Sequence, residues 1–173
     1  SGNGYHGTVN GVTPQADRFG FTGKSYSFDG VNDYIKLSSN LTSSLVMNVT
    51  VTLWLNPSTI SGGRFLFLRK GSGNNEAVKV GLQSNGVIEF RINNNKLSSG
   101  TSLTFGNWSH VTTVYNGSSK KIYLNGEQVG NEAQSGSLPA VSSFSYIGAD
   151  HDGSLNQYFK GSLDDVRIYD RAL

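Results

Sequence analysis

Apolar and polar residues alternate with a period of two along much of this chain. Val49, Val51, Leu53 and Leu55 share one face of a run whose other face holds Thr50, Thr52 and Trp54. Val78, Val80 and Leu82 alternate with Lys79, Gly81 and Gln83, and Ile88, Phe90 and Ile92 with Glu89 and Arg91. Successive side chains leave a strand on opposite faces, so this is the period of a half-buried strand. Ser84-Asn85-Gly86 between the last two runs predicts a hairpin, because Asn-Gly accepts positive φ at little cost. Asn125-Gly126 joins Lys121–Leu124 to Glu127–Val129 in the same way, and Asn116-Gly117 closes a strand predicted over Trp108–Tyr115. Further strands are predicted at Tyr5–Asn10, Ser25–Phe28, Tyr34–Leu37, Phe65–Lys70 and Phe144–Gly148. No stretch carries a convincing helical period. Many short strands separated by turns predict an all-β fold, a two-sheet antiparallel β-sandwich or jelly roll. The long irregular stretches Ser38–Asn48, Glu132–Ser143 and Ala149–Phe159 are then loops, where binding resides on a rigid scaffold.

The final run, from Gly161 to Leu173, reads as a terminal strand with Val166 and Ile168 on one face and Asp165, Arg167 and Tyr169 on the other. By parity Asp164 joins Val166 and Ile168, which points a carboxylate to the core side. Such a group needs a cation or hydrogen-bond donors. Two readings stand: a carboxylate tying down a loop through backbone N–H groups, or a calcium ligand. Either makes Asp164 structural.

Composition narrows the field. The chain has 173 residues, read as a single domain over residues 1–173, with 36% hydrophobic and 15% charged residues and 22 Gly. Abundant Gly, Asn, Ser and Thr suit a turn-rich β protein. A net charge of +2, with no Lys/Arg cluster beyond a pair, argues against nucleic-acid or membrane-surface binding. The chain has no Cys, which excludes disulfides, zinc thiolate sites and cysteine nucleophiles. No apolar stretch is long enough for membrane insertion. The chain starts at Ser1 and reads as a domain excised from a larger secreted protein, with covalently linked neighbouring domains.

Segments spread over nearly the whole chain resemble, in order, the laminin-G-like (concanavalin A-like) jelly-roll family of bacterial secreted proteins. They are Ser1-Gly-Asn-Gly-Tyr-His-Gly-Thr8, Tyr26-Ser-Phe-Asp-Gly-Val-Asn-Asp-Tyr-Ile35, Trp108-Ser-His-Val with Ile122-Tyr-Leu-Asn-Gly-Glu127, and Gly161-Ser-Leu-Asp-Asp-Val-Arg-Ile-Tyr169. The resemblance implies two antiparallel sheets packed face to face with the terminal strands adjacent. It also implies a structural calcium ion near Asn3, His6, Asp29 and Asp164, where loop carbonyls beside carboxylates would supply hard oxygen ligands. The family's roles are mainly recognition, of glycans or in adhesion, though relatives of the fold include glycoside hydrolases.

The candidate chemistry favours recognition. A glycoside hydrolase on this scaffold would carry Glu-x-Asp-x-x-Glu, but the residues two beyond Glu76, Glu89, Glu127 and Glu132 are Val78, Arg91, Val129 and Gln134. Gly20-Phe-Thr-Gly-Lys-Ser25 ends like a phosphate-binding loop but runs on into a strand. Asp150-His-Asp-Gly153 begins like a calcium loop and reads either as a second ion site or as a polar turn. Trp54 could stack on a sugar or pack beneath a covering loop. Tyr158 and Phe159 are expected to be exposed in the loop before the last strand, beside Asp150, Asp152, Asn156 and Gln157, whose amides and carboxylates read sugar hydroxyls. That loop is the expected ligand-contacting edge, with the Gly71–Asn75 tip second. The sequence therefore predicts a non-catalytic, extracellular carbohydrate-binding module, stabilised by calcium, that grips a polysaccharide or other glycan. The alternatives are a protein–protein or cell-adhesion domain, and a glycoside hydrolase or lyase.

Overall fold

A computed structural model describes residues 6–38, 45–58, 64–70, 76–139, 145–152 and 154–173. The strands are β1 (Gly7–Asn10), β2 (Thr13–Gln15), β3 (Ser25–Asp29), β4 (Tyr34–Leu37), β5 (Val49–Pro57), β6 (Arg64–Lys70), β7 (Glu76–Leu82) and β8 (Val87–Ile92). They continue as β9 (Asn95–Ser102), β10 (Ser109–Tyr115), β11 (Ser119–Leu124), β12 (Glu127–Ala133), β13 (Ser145–Ile147), β14 (Asp150–Asp152), β15 (Ser154–Asn156) and β16 (Lys160–Tyr169). The described residues contain no helix. A seven-stranded front sheet runs β1-β4-β13-β6-β7-β8-β9, and a seven-stranded back sheet runs β12-β11-β10-β5-β16-β3-β2. β14 and β15 form a separate hairpin.

The alternation seen in the sequence becomes the core. Val49, Val51, Leu53 and Leu55 of β5 are buried, as are Val78, Val80 and Leu82 of β7 and Ile88, Phe90 and Ile92 of β8. Burying each such side chain is worth about 1.5–3 kcal/mol, which drives the two sheets together. The Asn-Gly turns form as expected: Asn125 has φ 52° and Gly126 φ 88°. Asn93 and Asn94, with φ 51° and 66°, make a tight turn of the same kind between β8 and β9.

Three expectations are corrected. The first and last strands are not neighbours: β1 edges the front sheet, whereas β16 lies inside the back sheet between β5 and β3. Asp164 does not face the core. Leu163 pairs with Leu55 and points inward, while Asp164 pairs with Trp54 on the outer face. An extra residue between Asp164 and Arg167, with Asp165 at φ 48°, then resets the parity so that Ile168 opposes Val51. Finally, Phe159 is buried in the core, edge-on to Phe28 at 5.9 Å, not exposed in a loop.

Candidate glycan-binding face

The outer face of the front sheet is built from the polar halves of the alternating strands. With Val78 and Val80 in the core, Lys79 must point outward, and the same parity sends Glu89 and Arg91 outward from β8. Antiparallel register sets Lys79 opposite Arg91, and Arg91 opposite Lys96 of β9. On the other side Tyr146 of β13 lies opposite Lys36 of β4 and Leu68 of β6, and Leu68 lies opposite Lys79.

Three charged groups here are nearly inaccessible: Lys79 is 3% exposed, Asp150 5% and Glu89 6%. The β14–β15 hairpin packs against β6 and brings Asp150 onto Lys79, whose Nζ donates to Oδ2 at 3.0 Å. The Asp150 Oδ1 accepts the backbone N–H of His151 at 2.8 Å. Glu89 accepts from Arg91 Nε at 2.9 Å and from Gln83 Nε2 at 3.4 Å. Taking charges out of water costs several kcal/mol per ion, which pairing only offsets, so these pairs add little to stability. Aromatic rings continue the surface. Tyr146 and His151 stack at 5.5 Å with an interplanar angle of 7°, and Tyr34 meets Tyr146 edge-on at 5.9 Å. Burial and the neighbouring Tyr34 raise the Tyr146 phenol, which keeps it a neutral hydrogen-bonding hydroxyl. Tyr146 itself is buried beneath these neighbours, so the rings open to a ring-shaped ligand are the half-buried Tyr34 and His151.

The outer face of the back sheet is different. Arg18 lies with its guanidinium 4.7 Å from the centre of the Trp54 ring and 4.6 Å from that of Phe19. It donates to Asp164 Oδ2 at 2.7 Å and to Asp165 Oδ2 at 3.1 Å, while Arg167 reaches Asp165 Oδ1 at 3.1 Å. Burial alone would raise the Asp165 carboxyl, but the hydrogen bonds and charges of Arg167 and Arg18 outweigh it and hold the group below its ordinary value. On the other side of Trp54, His110 packs at 5.0 Å. Thr112 donates to Thr52 at 3.1 Å, and Thr52 meets His110 Nε2 at 2.7 Å, which suits a neutral imidazole accepting at Nε2. Burial, then Arg18 and Arg167, lower the His110 pKa against an opposing pull from Asp165. Trp54 therefore lies under a covering loop, the second of the two roles open to it in the sequence.

The expected calcium set is not assembled. Asp29 lies opposite Lys160 in the β3–β16 register, and its Oδ1 accepts the N–H groups of Val31 and Asn32 at 2.7 and 3.3 Å. Asp164 lies four residues further along β16 than Lys160, roughly 13 Å away at 3.3 Å per residue. Its carboxylate already faces the Arg18 cation, so Asp29 and Asp164 do not fit one calcium ion. His6 is exposed just before β1, and Asn3 lies outside the described residues. No group of three or more His, Cys, Asp or Glu poised for a metal occurs among the described residues.

The expected ligand loop is brought together in part. Asp150 opposes Asn156 and Asp152 opposes Ser154 across the β14–β15 hairpin. Asp150 is buried against Lys79 and so positions the hairpin instead of meeting solvent, which corrects its expected role. Asn156 Nδ2 donates to Ser154 O at 3.3 Å, Gln157 is exposed at φ 49°, and Tyr158 is half-buried. The Gly71–Asn75 tip lies outside the described residues. Sequence reasoning missed Tyr34, Tyr146, His151, Lys79, Glu89 and Arg91 as a group. Alternation had set Lys79, Glu89 and Arg91 on polar faces, but only cross-strand register joins them.

A two-sheet jelly roll that carries an aromatic and ionic strip across one outer face is the layout of a lectin-like sandwich. The chain belongs to the Laminin_G_3 family, described as the concanavalin A-like lectin/glucanases superfamily, which matches residues 29–173. Among solved structures it is similar to domain 4 of AbnA, an extracellular arabinanase of Geobacillus stearothermophilus in complex with arabinotriose. That match has a TM-score of 0.71 at 19% identity, over 96% of this chain and 83% of that one. A carbohydrate-binding module of the Ruminococcus gnavus IT-sialidase, bound to α2,3-sialyllactose, matches at a TM-score of 0.64 and 15% identity, over 77% of this chain and 80% of that one. A Trypanosoma rangeli sialidase in complex with 2,3-difluorosialic acid matches at a TM-score of 0.73 and 15% identity, over 98% of this chain but 28% of the sialidase. Identities this low establish the fold alone. No curated protein matches the chain.

Proposed function

We propose that this chain is a non-catalytic carbohydrate-binding module of a secreted or cell-surface protein, and that it grips glycan with the outer face of its front sheet. The observation that carries the reading is the pair of half-buried rings Tyr34 and His151, held against the buried Tyr146 beside the Lys79–Asp150 and Glu89–Arg91 pairs. Buried ion pairs that contribute little to stability are retained for what they hold in place, here a hairpin carrying His151. Support comes also from similar structures that hold arabinotriose and sialyllactose. The module would hold linked domains at a polymer surface, so that weak contacts gain from effective concentration. Asp150 and Glu89 are buried and each engaged by a cation, so neither carboxylate is open to a scissile glycosidic bond. A protein-adhesion role draws on Phe19 and Phe21, 69% and 64% exposed on the Arg18 loop.

Calorimetry against a panel of plant, algal and host oligosaccharides tests the proposal. At least one glycan should bind without being turned over. His151→Ala should weaken binding about tenfold, or about 1.4 kcal/mol, with the melting temperature little changed, and Arg91→Ala should weaken it similarly while also lowering stability, because Glu89 is left buried without its cation. A blank panel, or equal affinity in both variants, would overturn the reading.

A further inference from the structure

One side of the sandwich is closed only in part. β9 ends the front sheet, β12 ends the back sheet, and the two edges pack against each other. A Cβ on Gly100 of β9 would lie 3.4 Å from Val129 O, and one on Gly130 of β12 would lie 3.3 Å from Ser98 O. Glycine at both positions permits this close approach. Past Gly100 the edges part around a cleft of about 410 Å³, bounded by the end of β9, the loop leading to β10 and the β11–β12 turn. Small-molecule pockets span about 300–1,000 Å³.

Backbone hydrogen bonds hold the walls in place. Leu103 N–H donates to Gly86 O at 2.9 Å, Gly106 N–H to Pro57 O at 2.8 Å and Asn125 N–H to His110 O at 2.8 Å. Leu103, Leu124 and Val129 give the cleft apolar surface, and the half-buried Trp108 borders it. Asn107, Asn125 and Glu127 are exposed along its margin. Asn125 Oδ1 already accepts the His110 N–H at 2.8 Å, which leaves its amide N–H groups to donate to a ligand. The side chains of Asn107, Trp108 and Glu127 have no hydrogen bond or ion pair to a described residue. Among the described residues lining the cleft, Glu127 is the only charged one.

We propose that this cleft is a second glycan site, separate from the front face, and that it takes one neutral sugar residue at the end of a chain. The indole and leucine surface meets the C–H face of the sugar ring. Asn125 and Trp108 donate to its oxygens, and Glu127 accepts its hydroxyl protons. Hydroxyl groups both donate and accept, so they satisfy both kinds of partner. A carboxylate with no cation beside it repels uronates and sialic acids. With no second acid lining the cleft, there is no carboxyl pair to cleave the sugar.

The chain has two Trp, so an isotope-labelled sample gives two indole N–H resonances, and Trp108→Phe assigns them. Xylotriose, maltotriose, arabinotriose and diacetylchitobiose are the neutral probes. At least one should shift the Trp108 signal saturably, and more than the Trp54 signal, with a Kd of about 0.1–10 mM. Asn107→Ala and Glu127→Ala, at exposed positions, should each weaken that binding at least about fivefold. A galacturonate trimer and trilysine should leave the signal in place, and His151→Ala should not alter the titration. No shift with any neutral sugar, an equal shift with galacturonate or trilysine, or wild-type affinity in Asn107→Ala and Glu127→Ala would overturn the second site and spare the front face. Loss of the shift in His151→Ala would trace it to the front face and also overturn the cleft. A Trp108 titration that persists while His151→Ala and Arg91→Ala leave all glycan affinity intact would support the cleft and sink the front-face reading.

Discussion

Single side chains decide how the back sheet is finished. Arg18 supplies the positive partner of Asp164, in a pair whose side chains are 19% and 10% exposed. Arg18→Ala should therefore lower stability by about 1–3 kcal/mol, the range for charge-assisted hydrogen bonds removed from a partly buried acid. Asp164→Ala should leave any sensitivity of the melting temperature to chelator unchanged; a sensitivity that disappears in Asp164→Ala would restore calcium to that carboxylate. His110 gives a pH signature. Its folded pKa lies below the ordinary 6.5, so between those values the unfolded chain binds more protons than the folded one. Stability is then fully present above about pH 6.5 and declines as pH falls through the folded value. Chemical denaturation at stepped pH should show that decline, and His110→Gln should flatten it. Neither role could be read from the sequence, because Arg18 and His110 meet Trp54 from distant parts of the chain.

At the scale of elements, alternation and Asn-Gly turns were enough to find β5, β7, β8, β10 and β11. They were not enough for β9, β14 and β15. β9 is an edge strand rich in Ser and Gly, and it keeps its place partly through Ser99, whose hydroxyl accepts from Ile88 N at 2.9 Å and donates to Thr101 O at 2.7 Å. β14 and β15 form a short polar hairpin held by Lys79, a residue far upstream. The bulge at Asp165 defeated the parity argument for Asp164, since a one-residue insertion reverses every later face. Junctions between elements show a similar dependence on context. Gly148 has φ 86°, and a Cβ there would land on the Phe28 ring. Gly126 has a nearly equal φ of 88° but open space around it. Gly148→Ala should thus cost about 2–4 kcal/mol, combining strain with overpacking, against about 1 kcal/mol for Gly126→Ala. Equal losses in urea titrations would mean that backbone strain alone is at work.

Across the whole molecule, one buried cation ties the two layers together. Lys120 of β11 in the back sheet is fully buried, and its Nζ donates to the backbone oxygen of Asn95 at 2.9 Å and to its side-chain oxygen at 3.2 Å. Asn95 opens β9 of the front sheet, and Glu132 of β12 stands 3.7 Å from the same Nζ. Burial lowers the Lys120 pKa, partly opposed by Glu132. Lys120→Met should preserve volume yet leave the Asn95 oxygens without their donor, costing about 1–3 kcal/mol, with Lys120→Ala worse. Glycan affinity should be unchanged in both, because the clamp lies between the sheets and the ligand face lies outside them. A parallel loss of binding and stability would show that the two are not separable.

The amino-acid sequence by itself determined the strand class, most strand positions and the apolar residues of the core, because these are written in short-range period and turn chemistry, while the family was legible only through the resemblance of its motifs. It also set Lys79, Glu89 and Arg91 on polar strand faces. Only the tertiary structure decided that these groups share one surface with Tyr34, Tyr146 and His151, that Asp150 turns inward to Lys79, and that Asp164 faces Arg18 on the outside, away from Asp29. Those outcomes depend on which strands pair and in what register, and register is settled by the packing of residues far apart in the chain.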